Sequence, residues 1–308
     1  MNLDIYLVSP RGFCAGVERA ISIVEKALEK YGAPIYVRHE IVHNKIVVEN
    51  LRKKGAVFVK EVNEVPENSI IIFSAHGVSE KIEDLAKDYN LKILDATCPL
   101  VTKVHLEAQR HEKKGKKIIL IGHAGHPEVE GTSGRVKSSV TLISSREDID
   151  KLNFKADEEL AYVTQTTLSL DDTKNIIEKL KERFPQIEGP DTKNICYATQ
   201  NRQNAAKEMA RIVDLILVIG AQNSSNSNRL KDIGLELGRR SYLINSFQDI
   251  NLEWFNKINK VGITAGASAP ESLVIEAVDF LSTKFRTTIH KLDLIEENIK
   301  FNIPLELR

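Results

Sequence analysis

The chain has 308 residues, enough for two or three domains, and its hydrophobic share of 42% and charged share of 28% are those of an ordinary globular protein. Lys plus Arg equals Asp plus Glu at 43 each, which excludes a protein-wide basic surface for nucleic acid but leaves room for a local anion site. No apolar run reaches the ~20 residues of a membrane span, the N-terminus lacks a signal-peptide pattern, and a sparse, odd set of 3 cysteines suits a reducing compartment, so a cytoplasmic protein with no membrane partner is expected.

In chain order, "DIYLV" reads as a strand and runs into "SPRGFCAGVERA", where Cys14 sits between two glycines at a strand-to-helix turn. "PIYVR" is a second strand and leads into "RHEIVHN", a formal HExxH match at His39 to His43. A zinc site of that type needs a helix that presents both histidines on one face. Here a strand runs in, two β-branched residues fill the middle, and Asn44 reads as the N-cap of "KIVVENLRKKG". His43 is therefore expected to act alone, near a strand end and beside a helix N-terminus. "SIIIF" repeats that placement with His76-Gly77, and Ser79 reads as the next N-cap.

"LKILDAT" delivers Cys98 to the helical pattern "PLVTKVHLEAQRHEKKG", with Pro99 at its first position and Gly115 just past its end. His105 and His111 lie within that helix and read as structural. "KKIILI" precedes "GHAGHPEVEG", which offers His123, His126, Glu128 and Glu130; Gly122 and Gly125 there are expected to let backbone approach a ligand. "VTLIS" and "LAYVT" are strands, the second delivering Thr164, Thr166 and Thr167, and "NI" reads as a short strand before Cys196. "LILVIG" brings Ser224, Ser225, Asn226, Ser227 and Asn228 to a helix start, a set that suits an anion such as phosphate or, more simply, a capped serine-rich loop. "SYLI" and "KVGIT" complete ten strands besides the short "NI", and Ser268 precedes Pro270, read as a first helical residue. No GxxxxGK[ST] or GxGxxG is present, so ordinary nucleotide binding is unsupported.

Strands alternating with helices predict an α/β fold with mostly parallel sheets. One cysteine per third of the chain favours three small α/β units, at 14–96, 97–193, and 1–13 plus 194–282, with a tail over 283–308. Cysteines are commonly buried core residues. Three of them at strand carboxyl ends, where open α/β sheets bind ligands, also suit an iron–sulfur cluster. Three ligands leave one iron of a cubane open to substrate, and helix N-termini beside Cys14 and Cys98 stabilise its negative charge. The histidines and the Ser/Asn loop would hold a phosphorylated substrate, and Glu128 would supply protons. A zinc hydrolase built on "HEIVH" and a non-catalytic phosphate-binding protein remain as other classes.

With these stretches in order, the sequence resembles the 4-hydroxy-3-methylbut-2-enyl diphosphate reductase family, also called LytB. The resemblance spans essentially the whole chain and rests on "PRGFCAGVERAI", "YVRHEIVHN", "FSAHGVS", "DATCPLVTKVH", "GHAGHPEVEGT", "TQTTLS", "CYATQNRQ", "NSSNSNRL" and "TAGASAP". It implies one [4Fe–4S] cluster per chain on Cys14, Cys98 and Cys196. It implies substrate diphosphate held by His43, His76, His126, Ser224, Ser225, Asn226 and Ser268, with Glu128 as the acid and Thr166 near the substrate hydroxyl. It further implies a trefoil of three α/β units around the cluster, isopentenyl and dimethylallyl diphosphate as products, and ferredoxin or flavodoxin as electron donor.

Overall fold

The computed structural model describes residues 2–155 and 157–308. The first third of the chain forms β1 (Asn2–Ser9), α1 (Ala15–Tyr31), β2 (Ile35–Arg38), α2 (Lys45–Lys53), β3 (Ala56–Val59), β4 (Ile70–Phe73), α3 (Glu80–Asp88) and β5 (Lys92–Asp95). The middle forms α4 (Pro99–Lys113), β6 (Lys117–Ile121), α5 (Pro127–Ser133), β7 (Val140–Ile143), α6 (Arg146–Asp150), β8 (Leu160–Thr164) and α7 (Leu170–Arg183). The last third forms α8 (Tyr197–Ala210), β9 (Leu215–Ile219), α9 (Ser225–Glu236), β10 (Arg240–Ile244), β11 (Lys260–Ala265), α10 (Glu271–Lys284) and β12 (Arg286–Asp293).

The strands make three small sheets, of order β10-β9-β11-β1-β12, β3-β2-β4-β5 and β7-β6-β8. Every strand pairing among the described residues is parallel, as the strand–helix alternation predicts. The α/β class with three small parallel sheets is thus the observed one. By internal contacts the chain divides into two units. The first comprises Met1–Ala15, His43–Val47 and Tyr197–Lys300, and the second Gly16–Val42, Val48–Cys196 and Phe301–Arg308.

In the first unit the five-stranded sheet is covered on both faces. Leu3, Ile5, Leu217 and Ile263 pack with Phe255 and with Leu273, Val274 and Leu281 of α10. Ile216 and Val218 pack oppositely, with Met209 of α8 and Leu230 and Ile233 of α9. This explains why β9 is apolar at every position and wholly buried, since neither face meets water. In the second unit Ile119 and Tyr162 pack with Ile177 and Leu180 of α7, while Ile118, Leu120 and Val163 pack with Val104 and Ala108 of α4. The four-stranded sheet packs Ile71 and Phe73 against Val62, Val78 and Ala86.

The structure differs from the sequence reading at a few places. "NI" before Cys196 is a turn, with the Ile195 amide donating to the Thr192 carbonyl at 3.0 Å. Two strands escaped the reading, β3 and β12. The second lies within the stretch read as a tail and pairs along its full length with β1, from Asn2 opposite Arg286 to Ser9 opposite Asp293. Pro270 is the N-cap of α10 rather than its first residue.

Candidate functional site

The predicted residues fall into two groups, one in each unit. In the first unit, His43 stands just before Asn44, whose Oδ1 accepts from the amides of Ile46 and Val47, each at 3.1 Å, and so caps α2. The Ser268 hydroxyl donates to the His43 carbonyl at 2.9 Å, and Asn223 Nδ2 lies 3.3 Å from His43 Nδ1. Asn223 was not singled out from the sequence. Its position just before the Ser-Ser-Asn run is the only signal that could have found it.

β9 delivers that run to α9. Ser224 is the N-cap: its Oγ accepts from the Ser227 amide at 3.3 Å and from the Ser227 hydroxyl at 3.0 Å. Asn226 follows within the first turn. It is 3% exposed, and neither its amide nitrogen nor its amide oxygen has a hydrogen-bond partner. An unsatisfied buried polar group costs about 1–3 kcal/mol, which a hydrogen-bonding ligand would offset. Beside a helix N-terminus, whose amides favour negative charge, the ligand chemistry that fits is anionic oxygen. Cys14 lies on the same unit, its amide donating to the Ala267 carbonyl at 3.3 Å, so the loop that carries Ser268 also holds the cysteine's backbone.

In the second unit, β4 ends at Phe73 and the turn carries His76, with the Ser74 hydroxyl 3.3 Å from His76 Nδ1. The Cys98 amide donates to the Ala75 carbonyl at 3.0 Å, which ties the second cysteine to this turn, and Cys98 is the N-cap residue of α4. His126 caps α5, its Nδ1 accepting from the Glu128 amide at 3.2 Å, and its ring centre lies 5.9 Å from that of His76.

Glu128 is 2% exposed. Its Oε1 accepts from the Thr166 amide at 2.6 Å and its Oε2 from the Thr166 hydroxyl at 2.9 Å. Burial raises its pKa to about 7, although both Thr166 hydrogen bonds pull the other way. The carboxyl is thereby poised to hold and release a proton near neutrality. The Thr166 carbonyl accepts from the Cys196 amide at 3.0 Å, so acid, threonine and third cysteine form one connected run. Glu130 is exposed and outside it.

His39 to His43 form no helix, and His39 has a φ of 59°, so "HEIVH" lacks the scaffold of a zincin. At Gly122 a Cβ would lie 2.6 Å from Val129 Cγ2, so packing within the unit by itself demands a glycine there. His105 is buried in α4 and its pKa is lowered to about 4 by burial, consistent with a structural residue.

Each cysteine is half-buried, lies outside any disulfide, and is the last residue before a helix: Cys14 before α1, Cys98 before α4, Cys196 before α8. Cys14 belongs to the first unit and the other two to the second. Among the described residues no group of three or more His, Cys, Asp or Glu could hold a single metal ion. A cluster places its ligands on different irons and does not require them to meet at one point.

A family model described as LytB protein matches residues 5–282. A curated relative, 4-hydroxy-3-methylbut-2-enyl diphosphate reductase 2 of Bradyrhizobium diazoefficiens, is 55% identical over 305 residues, covering 99% of each chain. The corresponding reductase 1 of Rhodopseudomonas palustris is 56% identical, over 98% of this chain and 99% of the relative. The solved E-1-hydroxy-2-methyl-but-2-enyl-4-diphosphate reductase from Plasmodium falciparum superposes with a TM-score of 0.96 at 42% identity, covering 100% of this chain and 97% of its own. A second solved structure, of (E)-4-hydroxy-3-methyl-but-2-enyl diphosphate reductase, gives a TM-score of 0.66 at 30% identity, over 91% of this chain and 99% of its own.

Proposed function

The chain belongs to the LytB family, and from that premise we infer that it reduces 4-hydroxy-3-methylbut-2-enyl diphosphate as the last step of the non-mevalonate isoprenoid pathway. Two electrons and two protons enter, the allylic C–O bond breaks, water leaves, and the carbon skeleton takes the second proton at either allylic end. The products are isopentenyl and dimethylallyl diphosphate.

The observation that carries the reading at residue level is the buried Glu128 carboxyl, held by Thr166 with a pKa of about 7. Loss of a hydroxyl as water needs a proton on the leaving oxygen, and a carboxyl poised near neutrality is suited to give it. Thr166 aims the acid: its amide and hydroxyl fix both carboxylate oxygens. The diphosphate is assigned to His43, His76, His126, Ser224, Ser225, Asn226 and Ser268. The unpartnered amide of Asn226 supports that assignment most directly, since phosphate oxygens accept from an amide nitrogen.

A [4Fe–4S] cluster on Cys14, Cys98 and Cys196 would, when bound, supply the two electrons. The thiols fit such a group because each stands at a helix N-terminus, where the charge of a thiolate-bound cluster is favoured. A small one-electron carrier, ferredoxin or flavodoxin, recharges the site. Among the described residues no helix is long and apolar enough to cross a membrane, which is compatible with action in the cytoplasm on a soluble diphosphate.

The test is anaerobic purification followed by turnover with a chemical reductant. Brown protein that contains iron and sulfide and forms both isopentenyl and dimethylallyl diphosphate is expected. A colourless, iron-free protein that binds the diphosphate without consuming electrons would overturn the reading.

A further inference from the structure

The C-terminal segment reaches two arginines, and each of those arginines grips the backbone just before a cysteine. Arg202 on α8 is 0% exposed. Its Nε and Nη2 donate to the Gly12 carbonyl at 3.1 and 2.8 Å, and Nη2 also donates to the Phe13 carbonyl at 3.2 Å. Its charge is met by Glu297, beyond β12, with Nη1 to Oε1 at 3.0 Å and Nη2 to Oε2 at 3.2 Å. Asn201 Nδ2 donates to the same carboxylate at 3.0 Å. All of these groups lie within the first unit, and Phe13 immediately precedes Cys14.

The second unit repeats the arrangement with other residues. Arg19 Nη1 donates to the carbonyl of Thr97, the residue before Cys98, at 3.0 Å, while its Nε donates to the Asn302 carbonyl at 2.9 Å.

We propose that the segment after β12 is a positioning device for two of the three cysteines. Glu297 fixes Arg202, which fixes the Cys14 loop; the Asn302 backbone fixes Arg19, which fixes the Cys98 loop. The planar fork of arginine is what permits this. A guanidinium presents five donors at set angles, enough for backbone carbonyls on one side and the C-terminal segment on the other, which an ammonium cannot reproduce. The inference rests on the proposed cluster ligands and adds the elements that hold them.

The experiment uses reconstituted holoprotein kept anaerobic. Iron release to a chelator is timed, and aliquots are alkylated so that labelling of Cys14, Cys98 and Cys196 is read separately by mass spectrometry. Outer-shell partners of metal ligands typically change affinity by about 10- to 100-fold. Glu297→Ala is expected to speed iron release by that order, with Cys14 labelled first; Glu297→Asp should recover part of the loss. Arg19→Gln is expected to do the same with Cys98 labelled first. Glu296→Ala should match the parent. Glu297→Gln keeps the side-chain volume and carries the test if the alanine variant does not fold. Release rates equal to the parent in both Glu297→Gln and Arg19→Gln, or uniform labelling of all three thiols, would overturn the proposal. A parent that takes up no iron and sulfide would instead overturn the functional reading on which it rests.

Discussion

At the scale of single residues, the proposed acid Glu128 would link stability and chemistry through one proton. Its folded pKa is raised from 4.5 to about 7, and burial is the cause. Between those values the unfolded chain has lost the proton that the folded chain keeps, so the carboxyl makes stability fall as pH rises across that window and has no further effect above it. At about 1.4 kcal/mol per unit, the loss is on the order of 3 kcal/mol. Glu128→Gln should therefore show a shallower decline of stability between pH 4.5 and 7, measured by denaturant unfolding. The parent's kcat/KM should fall as pH rises through about 7, while the variant should lose ~10²–10⁴-fold in turnover and keep its iron. An unaltered stability profile together with full turnover would remove Glu128 from the acid role. The proposed diphosphate ligand Asn226 would make a trade of the same kind, stability for function. Asn226→Leu removes a buried amide that has no partner in the structure, so the melting temperature should hold or rise. Diphosphate affinity should weaken by about 10- to 100-fold, the value of ~1.5–3 kcal/mol for a hydrogen bond to a charged group. Lower stability with unchanged affinity would show the amide to be structural. The sequence made Glu128 and Asn226 visible as candidates through their neighbours. It could not show that one carboxyl is buried and its neighbour Glu130 exposed, because two residues apart on a short helix decides burial only once the helix is packed.

At the scale of elements, local chemistry was legible wherever a side chain and the backbone beside it settle the outcome. Asn44, Ser79 and Ser224 cap their helices as their residue types predict, and Pro99 opens α4. Strand β12 was not legible, for a physical reason. Its sequence "RTTIHKLD" is largely polar and partly exposed, as suits the edge of a sheet, and its strand character comes from pairing with β1, more than 280 residues away in sequence. The glycines around α4 allow a controlled test. Gly77 and Gly115 have φ values of 80° and 79°. A Cβ at Gly77 would lie 2.6 Å from His105 Cε1 on α4, whereas one at Gly115 would meet nothing within 4 Å. Gly115→Ala should cost only the backbone strain of a non-glycine residue in that region, about 1–3 kcal/mol. Gly77→Ala should cost more, and should also displace the turn that carries His76, weakening diphosphate binding. Equal losses in the two variants, with binding intact, would mean that α4 does not brace that turn.

At the scale of the molecule, the rhythm of one cysteine per third matched the three sheets, but the sequence did not show that the chain also divides into two units of interleaved segments. The first unit takes the chain's beginning, a five-residue piece at His43–Val47, and most of its last third. No composition shift or linker marks those boundaries, because parallel pairing sets them: β1 joins β11 and β12 rather than any strand near it in sequence. The division gives the cluster assignment its sharpest test. Cys14 belongs to one unit, and Cys98 and Cys196 to the other. If two thiols of the second unit sufficed for iron, Cys14→Ser would leave iron content and turnover near those of the parent, while Cys98→Ser and Cys196→Ser would lose both. If all three are ligands, the three serine variants should lose iron and sulfide alike, and turnover with them, whichever unit the residue comes from. Circular dichroism would establish that each variant still folds, and iron and sulfide analysis after anaerobic reconstitution would decide. Full iron in Cys14→Ser would reduce the ligand set to two cysteines and remove the reason for a thiol in the first strand-to-helix turn.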